Sequence, residues 1–131
     1  MEKDSAVIFV CEHGAAKSVI AAAHFNQLAD HRELNLRAIA RGINPDMEFS
    51  TKTMEGLERD GLTWSESVPQ RLTLADLESA QKIISFCELA EEYLDIAGYE
   101  YWNDVPPVSE NYEKAHDVIL ARLKAMIESS T

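Results

Sequence analysis

With 131 residues, 46% of them hydrophobic, the chain can bury one stable core without disulfides or metals, and a single domain over residues 1–131 is expected. A net charge of −11 speaks against the basic patches that nucleic acid and anionic membrane surfaces require, so neither is an expected partner. No apolar run approaches the roughly 18–20 residues of a bilayer-crossing helix, the first residues show no basic leader pattern, and two cysteines, Cys11 and Cys87, are too few for a disulfide scaffold; a cytoplasmic location is expected.

Ala6 to Val10 is a short β-branched apolar run that reads as a parallel strand buried on both faces. Beyond it, Ile20, Ala21, Phe25, Leu28 and Ala29 recur at helical spacing from Ser18 until Asp30-His31. A second strand is expected over Leu36 to Ala40, stopped by Arg41-Gly42 and Pro45. Ser50 is placed to cap a second helix running through Leu57 and ended by Asp60-Gly61. Residues Leu62 to Leu72 read as a loop, Leu74 to Ala80 as a short helix, and Lys82 to Phe86 as a strand with Cys87 at its carboxyl end. A further helix is expected within Glu88 to Gly98, and a fourth strand over Tyr99 to Trp102. After Pro106-Pro107, Ser109 can cap a last helix whose apolar face carries Tyr112, Ala115, Ile119, Leu123, Met126 and Ile127. Strands alternating with helices imply a parallel sheet covered on both faces, with ligands bound beyond the carboxyl ends of the strands.

The segment Val7 to Ser18, VIFVCEHGAAKS, is the most informative of the chain. A thiol stands where the first strand ends, followed by a loop containing Gly14 and by Lys17-Ser18 at a helix start. Backbone N–H groups of such a loop, with the positive end of a helix dipole, bind phosphate-like anions and stabilise a thiolate beside them. Cys11 is the candidate nucleophile. Glu12 would repel an incoming dianion if it turned inward and is expected to face solvent, while His13, with no metal-ligand partner at useful spacing, is assigned a hydrogen-bonding role. No metal or cofactor is implied.

Together with four later landmarks, this segment resembles the low-molecular-weight protein tyrosine phosphatases and the thioredoxin-coupled arsenate reductases that share their fold. The landmarks are Cys11-x5-Lys17-Ser18, Ala40-Arg41-Gly42-Ile43-Asn44-Pro45, Leu57-Glu58-Arg59-Asp60-Gly61-Leu62, Arg71-Leu72-Thr73, and Tyr101-Trp102-Asn103-Asp104-Val105-Pro106-Pro107. The resemblance implies a three-layer α/β sandwich with a four-stranded parallel sheet and helices on both faces. It also implies an oxyanion loop made of Glu12, His13, Gly14, Ala15, Ala16, Lys17 and Ser18, and a cysteinyl-phosphate intermediate on Cys11.

Three departures from the family pattern bear on activity. Lys17 occupies the position of the family's arginine, which keeps the charge and loses the planar two-oxygen grip. Pro106 stands where the family has the aspartate of Pro-Asp-Pro, so Asp104, two residues earlier, is the candidate general acid. Cys87 matches the second cysteine of the arsenate reductases, but the third, about seven residues on, is Leu94. Ser18 matches a serine that donates to the thiolate, and it is equally suited to cap the helix. The implied function is hydrolysis of a phosphomonoester, protein phosphotyrosine among the candidates. An arsenate-reductase-like redox protein and a catalytically impaired oxyanion-binding module are the alternatives. A phosphocysteine-carrying subunit of a sugar phosphotransferase system would share Cys11, Gly14 and Ser18 but gives no role to the later landmarks.

Overall fold

In the computed structural model, which describes residues 5–89 and 98–129, the chain runs β1 (Ser5–Cys11), α1 (Lys17–His31), β2 (Leu36–Gly42), α2 (Thr51–Arg59), α3 (Leu74–Ser79), β3 (Ala80–Ser85), β4 (Gly98–Tyr101) and α4 (Tyr112–Ser129). The strands form one parallel sheet in the order β2-β1-β3-β4. β1 is central because both of its faces are apolar. Val7 and Phe9 turn to one side, Ile8 and Val10 to the other, and all four are at most 2% exposed.

On one face Phe9 packs with Ile20 and Phe25 of α1, Leu57 of α2, and Ile119 and Leu123 of α4. On the other, Ile8 and Val10 meet Leu72, Leu77 of α3 and Ile83. This is the expected three-layer α/β sandwich. Alanines at 21, 22 and 23, all buried, let α1 lie close to the sheet. Phe9 also contacts the rings of Phe86 and Trp102, so the carboxyl ends of β1, β3 and β4 are gathered by one aromatic cluster. Among the described residues no helix is long and apolar enough to cross a membrane.

Side-chain caps explain three of the helix starts. Ser50 accepts the Thr53 N–H at 3.3 Å and caps α2. Thr73 and Asp76 form a reciprocal capping box that starts α3. Two expectations are corrected. β2 does not stop at Ala40: Arg41 and Gly42 continue the ladder opposite Val10 and Cys11. The last helix is capped by Asn111, whose Oδ1 accepts the Lys114 N–H at 3.0 Å, and not by Ser109, whose carbonyl instead receives the Lys52 ammonium at 2.9 Å. The helix expected within Glu88 to Gly98 falls largely outside the described residues.

Candidate active site

The loop between β1 and α1 is held from outside by its carbonyls. Those of Cys11, Glu12, His13 and Ala15 accept from the N–H groups of Ile43, Asn44, Asp46 and Ser50 at 3.3, 2.8, 3.1 and 3.0 Å. The described peptides include no cis bond, so the N–H of each following residue points opposite to the tethered carbonyl. The N–H groups of Glu12, His13, Gly14 and Ala16 are thereby turned away from the 43–50 segment, the disposition an anion-binding loop needs. Gly14 makes the turn possible. Its φ is +63°, and a Cβ there would lie 2.9 Å from the Gly42 nitrogen.

α1 begins without a side-chain cap. Its N-cap is Ala16, which makes no side-chain hydrogen bond, so the first-turn N–H groups and the positive helix end face the loop. Ser18 is therefore not the cap, which corrects one of its two sequence readings. It lies one residue inside the helix, fully buried, with its Oγ 3.0 Å from the Cys11 Sγ. Its place is instead beside the Cys11 thiol.

A cleft of about 320 Å³ opens at the carboxyl ends of β1 and β3, lined by Cys11, Glu12, His13, Ala15, Ala16, Lys17, Asp46, Ser50, Phe86, Cys87, Pro107, Val108 and Ser109. Lys17, the first residue of α1, is half-buried there. Glu12 is exposed and its carboxylate accepts from the Asn44 amide at 2.7 Å, which holds it at the rim. His13 Nδ1 lies 3.3 Å from both the Asn44 carbonyl and the Asp46 carboxylate. Asp46 escaped the sequence reading although it directly follows the Ala40 to Pro45 landmark; its position beside the Pro45 turn was the available signal.

Cys87, two residues past β3, shares this cleft. The Ser85 hydroxyl donates to its carbonyl at 2.5 Å and accepts from its N–H at 3.1 Å, folding the chain back over the strand end. Burial pushes the Cys87 thiol up from its ordinary pKa, against the opposing hydrogen bond from Ser85, and the negative charge available at Cys11 and Glu12 adds to the rise. Both cysteines are free.

Asp104 is not brought to the cleft. Its carboxylate accepts from the Arg122 guanidinium at 2.8 Å, and that guanidinium lies over the Trp102 ring at 5.4 Å. The Arg122 hydrogen bond holds the Asp104 carboxyl below its ordinary pKa, whereas a general acid must carry its proton at working pH. The segment that does reach the cleft is Pro107 to Ser109. Among the described residues the one grouping able to hold a metal ion, His24, Asp60 and His116, shares no residue with this cleft.

At its carboxyl edge the parallel sheet thus carries a thiol, a loop with outward-tethered carbonyls and an uncapped helix N-terminus. The chain belongs to the low molecular weight phosphotyrosine protein phosphatase family, whose model matches residues 6–117. Among solved structures it is similar to YfkJ from Bacillus subtilis, at 20% identity and a TM-score of 0.85 over 98% of this chain and 95% of that one. A low molecular weight phosphotyrosine phosphatase from Vibrio cholerae is similar at 17% identity and TM-score 0.81, covering 95% of each chain. A thioredoxin-dependent arsenate reductase from Corynebacterium glutamicum is similar at 20% identity and TM-score 0.75 over 95% of this chain and 61% of that one. At these identities the structural likeness speaks to the fold alone. No curated protein sequence matches the chain.

Proposed function

We propose that the protein is a cysteine-dependent phosphatase acting on a phosphomonoester. The observation that carries this reading is the Cys11 Sγ held 3.0 Å from a buried Ser18 hydroxyl, at the foot of a loop whose carbonyls are tethered outward. Cys11 attacks phosphorus, and the transferring group is cradled by the loop amides, the start of α1 and Lys17. Water then hydrolyses the cysteinyl phosphate. With Asp104 engaged by Arg122, the proton for the leaving oxygen is assigned to His13, a cleft residue braced at Nδ1 by Asn44 and Asp46.

The test is hydrolysis of an aryl phosphate by the wild type, Cys11→Ser, Asp104→Asn and His13→Gln, with mass spectrometry of quenched enzyme. Turnover and a phosphoryl adduct on Cys11 are expected in the wild type. Cys11→Ser should be inactive and Asp104→Asn unchanged. His13→Gln should slow substrates with poor leaving groups more than those with good ones. Full activity in Cys11→Ser would sink the reading.

A second reading, an arsenate-reductase-like redox protein, is favoured by Cys87 lining the same cleft as Cys11. Attack of the Cys87 sulfur on an arsenic adduct of Cys11 would form a Cys11–Cys87 disulfide and release arsenite, the two thiols supplying the two electrons. The third cysteine of the relay is replaced by Leu94, so the disulfide would have to be reduced directly by an external dithiol. A disulfide formed only with arsenate present would select this reading.

A further inference from the structure

His24 of α1, Asp60 at the end of α2 and His116 of α4 are separated by tens of residues in sequence and meet in a cluster that shares no residue with the candidate active-site cleft. The His24 Nε2 lies 3.3 Å and the His116 Nε2 3.4 Å from the same Asp60 oxygen. All three ligand atoms fall within 4.8 Å of one another. Four donors placed tetrahedrally at the roughly 2.0–2.1 Å of zinc bonds stand about 3.3 Å apart, so two of the three edges already have that length.

Two independent features point to a ligand between these groups. The first is an orphan: His24 is 5% exposed, and its Nε2 has no hydrogen-bond partner despite lying near Asp60. A buried polar atom left without a partner gives up its hydration uncompensated and needs a reason. The second is the partner of the other histidine. His116 Nδ1 sits 3.0 Å from the Asp117 carboxylate, the arrangement that fixes a histidine tautomer and leaves Nε2 with its lone pair free for a cation. An open, solvent-reaching cavity lined by His24, Gln27, Asp60, His116 and Lys124 gives an entry path and room for a water ligand.

We infer that His24, Asp60 and His116 form a binding site for a divalent transition cation of the zinc class, with two imidazole nitrogens, one carboxylate oxygen and a water completing four coordination positions. A harder cation such as magnesium or calcium would want more oxygen ligands than this set provides. Bound there, the ion ties α1, α2 and α4 together on the face opposite α3. It leaves the thiol chemistry of the cleft untouched.

The experiment is equilibrium dialysis of chelator-treated protein against zinc, with the absorption spectrum of the cobalt-loaded wild type and thermal melts with and without zinc. One ion per chain, a cobalt d–d spectrum free of thiolate charge transfer, and a melting temperature raised by zinc are expected. His116→Ala and Asp60→Asn should weaken binding by at least the roughly 10- to 100-fold that losing an outer-shell partner costs, and should abolish the zinc shift. Their circular dichroism reports whether they fold, and the wild-type cobalt spectrum decides the ligand type whatever they do. Absence of stoichiometric binding, affinity unchanged in both variants, or a cobalt–thiolate band placing the metal on Cys11 or Cys87 would overturn the inference.

Discussion

In the proposed oxyanion loop Lys17 supplies the positive charge as a single ammonium on a flexible stem. A guanidinium at the same place can donate to two oxygens of the transferring group in one plane, and a hydrogen bond to a charged group is worth roughly 1.5–3 kcal/mol. Lys17 lines the cleft and is only half-buried, so the larger head can be directed into it. Lys17→Arg is therefore expected to raise kcat/KM for an aryl phosphate by about tenfold, since about 1.4 kcal/mol is a factor of ten. Steady-state kinetics check it; a fall would show that the loop is shaped around the smaller head. Cys87 gives a second measurement at this scale. Because burial raises its pKa, it holds less thiolate at neutral pH than an unfolded cysteine does. Iodoacetamide at pH 7 should label it more slowly in the native protein than in urea, with the native rate climbing as pH rises toward the raised pKa. Peptide mass spectrometry of timed quenches reads both rates, and equal rates would refute the shift.

At the scale of elements, the joint between α2 and α4 turns on one missing side chain. A Cβ at Gly56 would fall 2.0 Å from the Tyr112 ring, which is itself buried. Alanine would gain roughly 1 kcal/mol of helix propensity over glycine, but displacing a packed ring costs typically 1–3 kcal/mol. Packing is the larger effect here because Tyr112 also stacks on His116 and lies beneath Arg59. Gly56→Ala should therefore lower the stability by about 1 kcal/mol in urea unfolding, with the active-site cleft unaffected; a stabilised variant would mean the ring swings aside freely.

The same elements mark what was legible in the chain and what was not. Cys11, Gly14 and Ser18 could be read because their roles are local: a strand end, a positive-φ turn and a contact seven residues on. The strand and helix order followed from periodicity. The end of β2 did not, since Gly42 looks like a stop and is instead kept in the ladder because its bare backbone packs against Gly14. The surroundings of Asp104 were hidden for the same kind of reason: its partner Arg122 comes from α4, 18 residues on. His24, Asp60 and His116 carry no spacing signal at all, because three different helices deliver them.

Over the whole molecule, 23 acidic residues against 12 basic ones leave a net charge of −11 on a protein proposed to receive an anion in its loop. The two influences act over different distances. The repulsive field is the sum over a surface tens of ångströms across, so it reaches far into low-salt solution, where the Debye length is about 30 Å at 0.01 M, and is cut off near 8 Å at 0.15 M. The attraction of Lys17, the loop amides and the α1 N-terminus acts at contact, within a few ångströms, and is screened little at either concentration. Salt should therefore remove more repulsion than attraction. For a dianionic aryl phosphate, kcat/KM is expected to rise about two- to fivefold between 0.01 and 0.15 M sodium chloride, while kcat stays level because the field acts on encounter and not on the bound state. Sulfate and phosphate buffers must be avoided, since either would compete for the proposed anion site. A flat or falling kcat/KM would mean that the local cradle dominates the approach as well as the binding, and that the acidic surface is turned away from the cleft.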